Sequence, residues 1–106
     1  FRRGDADTAP WPDPVTAAAG LRVPAPLGGA LVLQALRESG GGAVTVSEAS
    51  IGELTGFIQR QEGIDCGPEG AAAVAGALAL QRDGVLGAAA RVVVTNTGAG
   101  WPYLEH

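Results

Sequence analysis

Two stretches decide the fold: EGIDCGPEGAAAVAGALALQRDG at residues 62–84 and RVVVTNTGAG at residues 91–100. In the first, Pro68 suits the opening turn of a helix, where its missing N–H has no intrahelical partner to lose. Glu69 beside it complements the positive end of the helix dipole. Ala71 to Leu80 is apolar on every side, which implies burial all round. Gly84 marks the stop. In the second stretch, Arg91 to Thr95 carries β-branched residues and reads as a strand. Gly98 and Gly100 then make a turn.

Two further helices precede this pair. One is expected from about Leu27 to Ser39. Leu27, Leu31 and Gln34 form one row, and Leu33 and Leu36 are apolar at a spacing of three. Gly40-Gly41-Gly42 stops it, and Ala43-Val44-Thr45-Val46 reads as a short strand. Ser47 is suited to cap the next helix, and Ser50 with Glu53 has capping-box spacing one turn later. Ile51, Leu54, Phe57 and Ile58 place one stripe toward a core. Gly63 ends this helix. Ile64-Asp65-Cys66 is an extended link. The order strand, helix, helix, strand is α/β, with the strands expected parallel through a right-handed crossover. Two strands do not make an independent sheet, so the expectation is a piece of a larger domain.

The 106 residues carry a net charge of -4 and are 46% hydrophobic. That length sets one domain or less. Twenty residues are alanine and only 5% are aromatic, so the core is thin for its hydrophobicity. All seven cations are arginine, scattered along the chain, and there is no lysine. No basic face is available for nucleic acid or an anionic membrane. Cys66 stands alone, which excludes an internal disulfide and a cysteine-based zinc cluster. Residues 1–14, FRRGDADTAPWPDP, lack the apolar core of a secretory signal. A cytoplasmic location is the expectation. Both ends look cut, and residues 104–106 look like the remnant of a polyhistidine tag. His106 is therefore a poor catalytic candidate.

Few residues invite chemistry. Thr97-Gly98-Ala99-Gly100 follows an apolar strand, and ligands of open α/β sheets bind at the carboxyl ends of strands. A threonine hydroxyl there can donate or accept, and glycines permit close backbone approach. Alone, the sequence also reads as a plain turn. A dinucleotide site is rejected, because Trp101-Pro102 follows instead of a third glycine and a helix. Pro68-Glu69-Gly70-Ala71-Ala72 could turn a helix N-terminus toward an anion or simply form a well-capped helix. Cys66 reads as a reactive or, more simply, a buried thiol. Gly40–Gly42 follows a helix and precedes a strand, the reverse of a phosphate loop. Arg22 offers a bidentate fork or a surface ion pair. No Ser/His/Asp set exists, because the histidine is terminal.

Four blocks carry a resemblance in their order: GLRVPAPLGGALVLQALRESGG, AVTVSE, QEGIDCGPEGAAA and VVVTNTGAG, the last ending in the Thr-Gly-x-Gly turn. The chain resembles the C-terminal part of threonine synthases, fold type II enzymes of pyridoxal phosphate (PLP). The similarity runs from about Val15 to Pro102. It implies an α/β fold, a fragment of the three-layer parallel-sheet PLP domain of the tryptophan synthase β-like type. About three helices and two to three short parallel strands are expected. Residues 1–20 would be an irregular arm, 21–103 the enzyme portion and 104–106 the tag remnant.

In enzymes that look like this, the threonine of the turn hydrogen-bonds the PLP pyridine nitrogen. The cofactor-binding set implied is Thr97 with Gly98 and Asn96. No catalytic residue and no metal ligand is expected, since the cofactor lysine lies upstream in the family. Many relatives have glutamate where Gly67 stands, which removes that carboxylate here. The resemblance implies conversion of O-phospho-L-homoserine to L-threonine and phosphate by the complete enzyme, with this chain inactive alone. Its partners would be an amino-acid substrate, the rest of the parent enzyme and, in a homo-oligomer, further copies. The alternatives are another fold type II lyase, such as threonine dehydratase, and a catalytically silent interaction domain.

Overall fold

Three α-helices form where glycine, serine and proline punctuate the sequence. A computed structural model describes residues 1–104. Helix α1 spans Gly29–Glu38, α2 spans Glu48–Glu62 and α3 spans Pro68–Arg82. Short 3-10 turns cover Ala19–Leu21 and Trp101–Tyr103. Gly40, Gly63 and Gly84 take φ of 67°, 65° and 74°. That left-handed region is open to glycine at little cost, so each helix stops at a residue that the sequence marks.

The start signals are equally local. Ser47 has extended backbone, and its hydroxyl accepts the Ser50 N–H at 3.1 Å. This satisfies one of the orphan donors of α2. Ser50 lies within that first turn, so the helix does not begin at the Ser50–Glu53 spacing. Pro68 opens α3, with Gly67 as the extended residue before it.

The residues fall into two compact units. One contains Phe1–Thr16 and Arg22–Ala43. In it, Trp11 N–H donates to the Pro24 carbonyl at 2.8 Å. The Arg37 guanidinium donates to the Asp5 carbonyl at 2.5 Å and stands 5.9 Å from the centre of the Phe1 ring. Leu33 is the buried leucine of α1, whereas Leu27 and Leu31 are exposed. Of the two apolar rows, the one through Leu33 faces inward.

The other unit contains Ala17–Leu21 and the described residues from Val44 onward. Ala17–Leu21 belongs here because glutamates hold it. The Ala17 N–H donates to Glu48 at 3.0 Å, and the Gly20 N–H donates to Glu69 at 2.8 Å. A boundary at residues 20 and 21 therefore cuts through this connection. Of the segment 104–106, Glu105 and His106 lie outside the described residues.

Helix α2 packs on α3. Ile51, Cys66 and Ala71 form the centre of the contact, with Val46, Leu54, Ile58 and Ala72 around it. Two expectations change here. The first concerns α3. Its buried residues are Pro68, Gly70, Ala71, Ala75 and Gly76, while Ala73 and Leu78 are exposed. One face of α3 is buried rather than all of it, because α2 covers one side. The second concerns the sheet. Among the described residues no strand forms. Val44, Val46 and Val92–Thr95 line an opening of about 500 Å³ beside α3. A ladder requires a neighbouring strand about 4.8 Å away, and these segments are not paired. Among the described residues the three expected helices are present and the expected parallel strands are not formed.

The two faces of α3 make a direct test. Ala71 is fully buried, so Ala71→Leu should cost about 1–3 kcal/mol by overpacking. Ala73→Leu, on the open face, should cost less than about 0.5 kcal/mol. Urea melts followed by circular dichroism check the contrast; equal losses would contradict the packing of α3 on α2.

Candidate functional site

The entrance to α3 and the turn after residue 95 are fastened together by backbone atoms. Gly67 N–H donates to the Gly98 carbonyl at 3.0 Å. Gly100 N–H donates to the Asp65 carboxylate at 2.8 Å. The Asn96 amide donates to the Asp65 carbonyl at 3.4 Å. The approach is close enough to require glycine. A Cβ on Gly67 would stand 2.9 Å from the Ala99 carbonyl oxygen, and one on Gly100 would stand 2.8 Å from that of Cys66. Both obstacles are backbone atoms, which have little room to move.

This crossing presents Thr97 to solvent. Thr97 and Gly98 line an opening of about 540 Å³ together with Gly20, Leu21, Glu69 and Tyr103. The size falls in the range of small-molecule sites, about 300–1,000 Å³. The Thr97 hydroxyl makes no hydrogen bond among the described residues. It is therefore free to donate or accept.

Asn96 turns the other way. It lines a separate apolar opening of about 390 Å³ with Leu54, Phe57, Cys66 and Val94. Its side chain is engaged there with Asp65 and with the Cys66 thiol, whose sulfur lies 3.7 Å from Asn96 Oδ1. Extended backbone sends successive side chains to opposite sides, which separates Asn96 from Thr97. Of the three residues expected to bind a cofactor, Thr97 and Gly98 share an opening and Asn96 supports the crossing.

Glu69 is the carboxylate of the opening. Its Oε1 accepts the Gly20 N–H at 2.8 Å and also the Tyr103 hydroxyl. Partial burial pushes the carboxyl up, but the Tyr103 hydroxyl, its own N–H and the Gly20 N–H outweigh that and hold it below the usual range. Tyr103 responds in the opposite sense. Its bond to Glu69, then desolvation and the Glu69 charge, raise the phenol above its ordinary value. Cys66 is raised by burial first, then by the Asp65 and Glu69 charges. It is a protonated, buried thiol with its sulfur 3.4 Å from the Gly67 carbonyl oxygen, not a nucleophile.

The sequence places Glu69 at a helix N-terminus, where it complements the dipole or faces an anion, makes Asp65 part of a link, and gives no signal at Tyr103. The contacts that give them roles span 49 residues for Gly20–Glu69, 35 for Asp65–Gly100 and 34 for Glu69–Tyr103. No local spacing signals them. Arg22 and Gly40–Gly42 belong to the first unit. Among the described residues no cluster of His, Cys, Asp and Glu could hold a metal ion.

Comparison with known proteins gives a consistent set. The model of a family described as "Pyridoxal-phosphate dependent enzyme" matches residues 1–98. The threonine synthase of Methanocaldococcus jannaschii is 33% identical over 100 residues, which is 94% of this chain and 25% of that protein. The threonine synthase of Methanosarcina acetivorans is 36% identical over 98 residues, 92% of this chain and 24% of that protein. The chain spans about a quarter of the length of the curated relatives it matches.

The Glu69 contacts carry a pH signature. A carboxyl held low in the folded state adds stability above its ordinary pKa, and that stability is lost as pH falls through the lowered value. Glu69→Gln should remove this contribution. Between about pH 6 and pH 3 the urea midpoint of the variant should fall less than that of the wild type. Parallel curves would mean that the Tyr103 and Gly20 contacts do not favour the charged carboxylate.

Proposed function

The chain belongs to the pyridoxal-phosphate dependent enzyme family, and from that premise we propose that it forms one wall of the cofactor site of a threonine synthase. The complete enzyme converts O-phospho-L-homoserine to L-threonine and phosphate. The observation that carries the reading is Thr97, a threonine hydroxyl without a partner among the described residues, set in an opening of suitable size.

The residues present fit one end of the cofactor. Thr97 holds the pyridine nitrogen through its hydroxyl, and Gly98 leaves room for a flat ring to approach. A neutral hydroxyl gives the ring nitrogen a hydrogen bond without forcing a proton onto it. Leu21 and Ala19 supply apolar wall on the same opening. Asn96 acts behind the wall by fixing Asp65. The cofactor, when bound, supplies an electron sink for chemistry at the substrate's β- and γ-carbons. The amine that anchors it comes from outside these residues, since none of the 106 is a lysine. The second reading is a catalytically silent domain with the same fold, and the presence or absence of a cofactor lysine elsewhere in the parent protein separates the two. A cytoplasmic location and assembly with the rest of the parent enzyme belong to the proposal.

Two experiments test it. The chain alone, mixed with PLP and reduced with borohydride, should show no stoichiometric adduct within residues 20–102 by mass spectrometry. Phe1 carries the one primary amine available, at the N-terminus. In the complete enzyme, Thr97→Val keeps the shape and removes the hydroxyl. The loss of a hydrogen bond to a buried group is about 1–3 kcal/mol. Borne by the transition state, that is roughly 5- to 150-fold in turnover. The cofactor's visible absorbance should shift as well. Wild-type turnover with an unchanged spectrum would remove Thr97 from the site, and absence of any bound cofactor in the complete protein would favour the silent domain.

A further inference from the structure

The opening at Thr97 has one charged wall, and that wall is built by contacts distant in sequence. Glu69 is half-buried in the first turn of α3. Its carboxylate joins three segments at once: the 3-10 turn at Ala19–Leu21 through the Gly20 N–H, the 3-10 turn at Trp101–Tyr103 through the Tyr103 hydroxyl, and α3 itself. The other carboxylate oxygen, Oε2, points toward the crossing. It lies 3.1 Å from where a Cβ of Gly67 would stand and 3.8 Å from that of Gly98. The carboxylate thus takes up the space beside both glycines, next to Thr97. No ion pair to Glu69 exists among the described residues, so its charge is balanced only by hydrogen bonds.

We propose that Glu69 is the positioning residue of the Thr97 opening, holding the segments at 19–21 and 101–103 around it and setting the negative charge that a ring bound at Thr97 meets. This rests on the reading of Thr97 as the partner of the cofactor ring. A hydrogen bond donated by the Thr97 hydroxyl favours the unprotonated ring nitrogen. A carboxylate at the same opening stabilises the protonated form without touching it. The titratable groups facing Glu69 are the Tyr103 hydroxyl from the C-terminal turn and the Cys66 thiol, with Asp65, from the link before α3. The turn at 19–21 presents a backbone N–H. Neither a phenol nor a thiol can supply a positive charge, so nothing on those sides cancels the Glu69 charge.

The test uses the complete PLP-loaded enzyme with four proteins: wild type, Glu69→Gln, Tyr103→Phe and Thr97→Val. The readouts are the absorbance of the bound cofactor across pH and the Kd for PLP. Glu69→Gln retains an acceptor oxygen but loses the charge, so the spectroscopic midpoint should move to lower pH by about one unit. Tyr103→Phe keeps the charge and loses one tie. It should leave the midpoint in place or raise it slightly, while Kd rises about tenfold. A purely structural role would weaken affinity in both variants and leave the midpoint of Glu69→Gln unchanged; that result overturns the inference. If Thr97→Val shifts the spectrum while both other variants match wild type, Glu69 is not the positioning residue and the Thr97 reading survives. If all three match wild type, both fall.

Discussion

Everything in the second unit depends on one crossing, where residues 65–67 and 96–100 exchange hydrogen bonds. The Gly67 N–H, donating to the Gly98 carbonyl at 3.0 Å, fixes the two segments together. The Asp65 carboxylate on the Gly100 N–H, at 2.8 Å, locks the turn against the helix entrance. A charged acceptor makes such a bond stronger than a neutral one. The same crossing sets where α3 begins, because Gly67 must be extended to reach Gly98, and Pro68 then starts the helix without wasting a donor. It also sets what the turn displays. With Gly98 and Gly100 pinned, Thr97 lines the opening it shares with Glu69 and Tyr103.

The apolar face of α3 that α2 leaves uncovered bears on the proposed function. Val44, Val46 and Val92–Thr95 lie beside it as extended segments with no ladder among the described residues. Val93 is 94% exposed and Leu78 51%. Exposed β-branched runs next to a small-residue helix are what a layer of a larger α/β domain looks like when only part of the sheet is present. On the proposed reading, the rest of the parent enzyme supplies the neighbouring strands and the amine for the cofactor. The thin, alanine-rich core fits a unit whose remaining apolar area is satisfied by those neighbours.

The helices were legible in the sequence because their signals are local. Ser47, Pro68, Gly40, Gly63 and Gly84 each act through their own backbone angles or hydrogen bonds, and each sits where its chemistry places it. Of the expected stripe, Ile51, Leu54 and Ile58 point inward for the same reason, whereas Phe57 is exposed at the edge of the α2–α3 contact. The one-sided burial of α3 was not legible: a helix of alanine and glycine has no polar face to reveal which side is covered. The lack of a ladder was not legible either, because β propensity shows that a segment suits a sheet, not that a partner strand exists. Thr97 and Gly98, which the resemblance singled out, line one opening together. Asn96 faces away because successive side chains of extended backbone alternate in direction. Glu69, Asp65 and Tyr103 owe their roles to contacts spanning some thirty to fifty positions, which no spacing rule encodes.

The central claim is that the crossing aims the Thr97 hydroxyl at the ring nitrogen of PLP. The most direct measurement is a crystal structure of the complete protein with the cofactor bound. The account predicts the Thr97 oxygen at about 2.7–3.2 Å from the pyridine nitrogen, in hydrogen-bonding geometry, with Gly67 still bonded to Gly98. A ring nitrogen held by another side chain, with Thr97 turned away, would contradict it.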